Sequence, residues 1–144
     1  MVRTAQYKDA NDLGVLCGEL GCPVAEAAMQ ERLRKALQSA TDTILVATSS
    51  EDRVIGWIHA HAIHVLISGF RVEIVGLAVS SSNRRRGVAR KLVESVEAWA
   101  KNLGAPEIVV RSNIARTESH AFYPAIGYAQ TKVQRVYRKI LTRP

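Results

Sequence analysis

The sequence predicts an α/β (α+β) fold in which helices cover the faces of a central mixed sheet. Three observations carry that expectation. Apolar runs of strand type come early, separated by turn residues as in hairpins. Later, strand-like and helix-like segments alternate, the order of crossover connections. At 144 residues, 47% of them hydrophobic, the chain has apolar material for one core and no room for a second domain, so residues 1–144 read as one domain.

Residues 1–7 give a short first strand. Residues 10–20 and 23–39 are helical, the second with Pro23 at its start, where a missing N–H costs nothing, and with Met29, Leu33 and Leu37 on one face. Residues 43–48 and 54–65 read as strands joined by the turn Ser49-Ser50-Glu51-Asp52. A strand follows at 72–79, then a helix at 87–102, a strand at 108–111, a helix at 117–126 and a closing strand at 133–141.

The segment from Ser82 to Lys91 joins an apolar strand to a helix whose Val88, Leu92, Val96, Trp99 and Leu103 recur at helical spacing. A helix start offers unpaired N–H groups and the positive end of the macrodipole. Gly87 lets an anion approach the backbone, and Arg84, Arg85, Arg86 and Arg90 add guanidinium donors suited to phosphate oxygens. This is a phosphate-binding turn. It lacks the G-x-x-x-x-G-K-[ST] of nucleoside-triphosphate loops and the G-x-G-x-x-G of dinucleotide turns.

The pattern Arg84-x-x-Gly87-x-Ala89 resembles the pyrophosphate loop, [Gln/Arg]-x-x-Gly-x-[Gly/Ala], of the GNAT superfamily of N-acetyltransferases. The resemblance extends downstream. A strand leading to Asn113 precedes a helix bearing Phe122-Tyr123, and Gly127-Tyr128 follows four residues after the tyrosine; upstream, Gly56-Trp57-Ile58 resembles the family's Gly-aromatic-Ile strand. Together these cover residues 1–141. The resemblance implies a mostly antiparallel sheet whose two middle strands splay apart to admit coenzyme A. It implies acetyl-CoA as co-substrate and direct attack by a primary amine in a ternary complex. Leu77, Ala78 and Val79 would meet the pantetheine and acetyl group through their backbone, Arg84, Arg85, Arg86, Gly87, Val88, Ala89 and Arg90 the pyrophosphate, while Asn113 would hydrogen-bond the pantetheine and Phe122 would contact the cofactor. Tyr123 would protonate the departing thiolate. A phenol, at a reference pKa of about 10, can do so for a thiol of about 8.5. Each residue also has a plain reading: core strand for Leu77, Ala78 and Val79, a turn for Asn113, an aromatic filler for Tyr123.

Glu73 is the one charged residue in the run 72–79. Apolar flanks would raise its pKa toward that of a general base, a role some GNAT members give to Glu at this position; a solvated residue at the strand's start is the plain reading. His59 and His61 share a strand face and His64 takes the other, so an undistorted strand cannot present all three, and no metal is assigned. These histidines fit an acceptor pocket or a wet sheet face. Cys17 and Cys22 lack a second Cys/His pair and read as reduced packing thiols.

The net charge of +7 would suit a nucleic-acid binder, but five of the twenty Lys and Arg residues lie between Arg84 and Lys91, where coenzyme A accounts for them. No aromatic residue lies between Phe70 and Trp99 to alternate with these cations, which disfavours nucleic acid. A GNAT-like sensor that binds acyl-CoA without turnover is the other rival. No leading signal-type run or membrane-length apolar stretch is present, so a cytoplasmic enzyme without a membrane partner is expected. A homodimer is compatible with the sequence, which does not specify one. The acceptor is left open among small amines, amino sugars or aminoglycosides, aminophosphonates and protein amines. The positive charge mildly disfavours a polycation.

Overall fold

Alternation of apolar residues along two long strands decides where the core lies. In the computed structural model, which describes residues 1–112 and 117–142, five strands form one sheet. They are β1 (Val2–Thr4), β2 (Asp42–Thr48), β3 (Val54–Val65), β4 (Gly69–Val79) and β5 (Ile108–Val110), neighbours in that order. All pairs are antiparallel except β4–β5. The expected mixed, mostly antiparallel sheet with helices is what forms. The chain divides into two compact units, Met1–Arg111 and Ser112–Pro144.

In the first unit, Gly56, Ile58 and Ala60 of β3 point to one face, where Gly56 lies against Val88 and Leu92 of helix α3 (Val88–Asn102). Leu92, Val93 and Val96 of that helix are fully buried, each worth about 1.5–3 kcal/mol. On the other face α1 (Ala10–Glu19) and α2 (Glu26–Gln38) bury Leu13, Leu16 and Leu33 with Ile44 and Val46 of β2, and Trp57 packs against this cluster. Arg3 of β1 grips the buried Asp9 through both guanidinium nitrogens, at 2.8 and 2.9 Å, tying the first strand to the turn before α1.

Three boundaries depart from the sequence reading. The second helix starts at Glu26, not Pro23, because Val24 lies across α1: a Cβ on Gly14 would sit 2.6 Å from the Val24 carbonyl oxygen. The stretch before the helix stays extended, with Ala25 at ψ 147°. β4 begins at Gly69, three residues before the predicted strand, since the β3–β4 hairpin pairs through to Val65↔Gly69. The expected closing strand at 133–141 does not form. Residues 129–141 hold no strand, and Val133, Val136, Tyr137, Ile140 and Leu141 are exposed. Their spacing of three and four residues puts no continuous apolar row on one face of a strand.

The second unit carries α4 (Thr117–Ala125), whose C-terminus explains the Tyr-x-x-x-Gly-Tyr spacing. Gly127, left-handed at φ 99°, donates to the Pro124 carbonyl at 3.1 Å, and Tyr128 N–H donates to the Tyr123 carbonyl at 3.0 Å. This is a Schellman cap, which brings the residue after the glycine back over the helix. The Tyr128 and Tyr123 rings meet edge-on at 5.8 Å, and Tyr123 meets Phe122 at 5.1 Å.

Candidate active site

The basic turn folds as a strand-to-helix corner. After β4, a single 3-10 turn at Ser81–Asn83 is closed by Asn83 side-chain donation to the Ser80 hydroxyl at 2.7 Å, and Ser81 N–H donates to Glu19 of α1 at 3.1 Å. Arg85 and Gly87 are both left-handed, at φ 64° and 77°, and Gly87 is the N-cap of α3. Its carbonyl accepts from Lys91 N–H at 3.1 Å, which opens the helix and leaves the first-turn N–H groups of Val88, Ala89 and Arg90 facing outward. No acidic residue occupies that first turn. Arg84 donates to the Val79 carbonyl at 3.4 Å and Arg90 pairs with Glu94 at 3.1 Å, while Arg85 and Arg86 are exposed and make no ion pair or hydrogen bond among the described residues. Open N–H groups, two unengaged guanidiniums and no competing carboxylate fit a pyrophosphate.

The edge of β4 fits the arm of such a ligand. β5 pairs with Val72, Glu73 and Ile74, and among the described residues no strand pairs with β4 on that side beyond Ile74. Leu77, Ala78 and Val79 lie along this part of β4. On the other side the β3 ladder skips Val75, passing from His59↔Gly76 to Ala60↔Ile74. Val75 is a bulge, next to the last residue of β4 that pairs with β5.

Glu73 is nearly buried, and its environment reverses the sequence expectation. Its Oε1 accepts from Arg71 at 2.7 Å and from Arg111 at 2.9 Å, and its Oε2 lies 3.6 Å from His61 Nε2. Burial pushes the carboxyl up, but the hydrogen bonds from Arg111 and Arg71 outweigh it and hold the group below the ordinary carboxylate value. The apolar flanks that suggested a raised pKa are its strand neighbours, whereas its partners come from two residues back on the same face and from the residue after β5. Arg71-x-Glu73 was legible as an i, i+2 pair; Arg111 was not, because only the sheet order brings it near.

The histidines divide as strand alternation requires. His59 Nε2 lies 2.7 Å from Asp42 of β2, and burial pushes that carboxyl up while His59, Ser39 and Thr41 pull it lower on balance. His61 pairs in register with Asp42 on one side and Glu73 on the other. His64, on the opposite face, stacks on Phe70 with centroids 4.6 Å apart. Among the described residues no three His, Cys, Asp or Glu side chains converge as a metal site. Tyr123 and Phe122 stand together on α4, partly buried, and Asn113 lies outside the described residues. Cys17 and Cys22 are free thiols, and no helix among the described residues is long and apolar enough to cross a membrane.

Comparison with known proteins agrees with this geometry. A model of the acetyltransferase (GNAT) family matches residues 16–128. An aminoglycoside N(6')-acetyltransferase type 1 of Acinetobacter genomosp. 13 is 32% identical over 111 residues, 74% of this chain and 75% of that protein. Among solved structures, the apo aminoglycoside 6'-N-acetyltransferase AAC(6')-IG of Acinetobacter haemolyticus superposes with a TM-score of 0.84 at 22% identity over 99% of both chains. The aminoglycoside N-acetyltransferase AAC(6')-Iy in complex with CoA superposes at 0.86 and 24% identity, over 96% of this chain and 93% of that one. With a family match over most of its length, the chain belongs to the GNAT acetyltransferases and is an enzyme that moves an acetyl group from acetyl-CoA to an amine.

Proposed function

We propose that this enzyme acetylates the primary amine of an aminoglycoside or a related amino sugar, in the cytoplasm, with residues 1–144 acting as one catalytic domain. The likeness to the aminoglycoside N(6')-acetyltransferase, 32% over three-quarters of both chains, is the observation that carries the acceptor class. In this reading the first turn of α3, with Arg84, Arg85, Arg86 and Arg90, holds the pyrophosphate, and Gly87, Val88 and Ala89 present backbone N–H groups to it. The backbone of Leu77, Ala78 and Val79 aligns the pantetheine and polarises the acetyl carbonyl, and the family resemblance assigns Asn113 and Phe122 to the cofactor as well. Acetyl-CoA supplies an activated thioester.

The amine attacks that carbonyl directly while both substrates are bound. Tyr123 gives its phenolic proton to the departing thiolate, which a phenol can do because its ordinary pKa of about 10 is close to that of a thiol. Glu73 serves amine deprotonation as a fixed anion anchored by two guanidiniums. A panel of aminoglycosides, amino sugars, alkylamines and peptides, read by release of free CoA, tests the reading. Turnover with amino sugars at the head of the panel is expected; selective turnover of peptides or simple alkylamines overturns the acceptor class. Acetyl-CoA binding without CoA release from any amine would favour the sensor. A salt-dependent DNA titration in the same buffer checks the nucleic-acid alternative.

A further inference from the structure

We infer that His61 takes the proton from the attacking amine, with Glu73 as its fixed counter-charge, so that the base of the reaction is a histidine–carboxylate pair reaching across β3 and β4. The inference rests on the acetyl-transfer reading of the site and adds to it a residue for which that reading has no role. Four observations support it.

First, the oxygens of Glu73 are divided. Oε1 is taken by Arg71 and Arg111, while Oε2 faces His61 Nε2 at 3.6 Å. A carboxylate with two guanidiniums on one oxygen is a poor proton acceptor, yet its other oxygen can still steady a positive charge beside it. Second, the imidazole is partly open, with 31% of its side chain exposed, whereas Glu73 keeps only 11%. An incoming amine therefore has access to the ring rather than to the acid. Third, imidazole is the side chain whose ordinary titration spans neutral pH, which suits it to collect a proton and release it to water between turnovers.

Fourth, the position is right. His61 stands opposite Glu73 in the ladder, and Glu73 lies two residues, about 6.6 Å along the strand, from the bulge at Val75, which leads into Leu77, Ala78 and Val79. The charged and titratable groups around His61 are Asp42 from β2, Glu73 and Arg71 from β4, Arg111 after β5, and His59 on its own strand. Of these, Asp42 is engaged by His59 at 2.7 Å, and the carboxylate nearest the His61 ring nitrogen is Glu73.

The step balances. As the amine nitrogen bonds to the acetyl carbon and the C–S bond breaks, one N–H proton passes to His61, and the departing thiolate leaves as the thiol with the phenolic proton of Tyr123, which is regained from solvent. With Nε2 turned to Glu73, Nδ1 is the His61 nitrogen that receives the amine proton. The imidazolium stands against Glu73 Oε2 and loses the proton to solvent.

The test is kcat/KM against pH, with saturating acetyl-CoA and one good amine, for the wild type, His61→Gln, Glu73→Gln and His64→Gln, together with calorimetric binding of acetyl-CoA. His61→Gln is expected to lose about 10²-fold at neutral pH, the scale of general base catalysis, to recover partly as pH approaches the amine's own pKa, and to keep its acetyl-CoA affinity. Glu73→Gln should move the acidic limb of the profile to lower pH, because the imidazolium loses its counter-charge. His64→Gln, on the opposite face, should reproduce the wild type. NMR titration of the His61 ring in the wild type gives a second readout that needs no variant to fold, and its midpoint should coincide with the acidic limb. Superimposable wild-type and His61→Gln profiles, or a His61 titration that does not track the limb, overturn the inference. Weak acetyl-CoA binding by the wild type would instead overturn the cofactor reading beneath it.

Discussion

Replacing Gly87 with alanine separates the two reasons a glycine can matter at an anion-binding corner. A Cβ built on Gly87 meets no protein atom within 4 Å, so the substitution creates no clash in the protein itself. What remains is the backbone. Gly87 sits at φ 77°, ψ 11°, and an L-residue held in the left-handed region costs about 1–2 kcal/mol. In the free protein the corner can relax and release that strain, so acetyl-CoA must restore the conformation when it binds. At about 1.4 kcal/mol per tenfold, the cost corresponds to acetyl-CoA binding weaker by about 5–30-fold in Gly87→Ala. It is larger in Gly87→Val, whose branched Cβ tolerates positive φ least. Isothermal titration of acetyl-CoA at one fixed salt concentration, with thermal melts to confirm folding, measures it directly. Turnover at saturating acetyl-CoA should fall much less than affinity. If folded Gly87→Ala and Gly87→Val both bind acetyl-CoA as the wild type does, the corner does not hold the pyrophosphate.

Three further outcomes can be checked. Tyr123→Phe should keep acetyl-CoA affinity while kcat drops by about 10²–10⁴-fold where chemistry limits the rate, and an unchanged single-turnover rate would remove the acid from Tyr123. Gly76→Ala would place a methyl group 2.5 Å from Trp57 Cη2, so the indole must move or the strand shift, at about 1–3 kcal/mol in urea unfolding followed by tryptophan fluorescence. Asp9 is pushed up by burial, but the bonds from Arg3 and from Gln6 N–H hold it lower overall. Because its folded pKa lies below the unfolded value, its contribution is complete above about pH 3.9 and is lost as pH falls toward the folded value. Asp9→Asn should therefore cost about 3 kcal/mol at neutral pH, the low end for a buried pair because Arg3 keeps some solvent, and the gap to wild type should narrow as urea melts are taken below pH 4.

The basic strand-to-helix corner was legible because everything that defines it is local: an apolar strand, arginines, a glycine, and Val88, Leu92 and Val96 recurring down one helix face. The Tyr123-to-Tyr128 spacing was equally local, since a Schellman cap is written in six consecutive residues. Glu73 was identified but misjudged. Its apolar neighbours are adjacent in sequence, but on a strand adjacent residues point away from one another, so they do not form its environment. His61 and Arg111, which do, lie 12 residues before and 38 residues after it, and only the β3–β4 register and the β4–β5 pairing bring them to it. The closing segment failed for the opposite reason: Val133 to Leu141 has strand-forming residue types, but a strand exists only where another strand accepts its hydrogen bonds. The second helix shows how packing edits a local signal. Pro23 suits a first helical turn, yet Gly14 admits the Val24 carbonyl so closely that the chain stays extended for three more residues.

The extra residue at Val75 has a consequence for how the two halves of β4 are counted. Glu73 and Gly76 are three apart, an odd number, and on an uninterrupted strand they would fall on opposite sides of the sheet. They share a side only because the ladder counts Ile74 and Gly76 as successive rungs. Val75, half exposed and with no charge of its own, thus fixes the phase of every residue before it relative to every residue after it. A homologous chain that lacked Val75 alone would run as a regular strand and still set Glu73 opposite His61, because Ile74 and Gly76 are already successive rungs. A chain of full length that straightened the bulge would turn Arg71 and Glu73 toward α3 and send Val72 and Ile74 out beside His61. Across such chains the residue count of this strand and its bulge have to be read together to tell which face the glutamate takes.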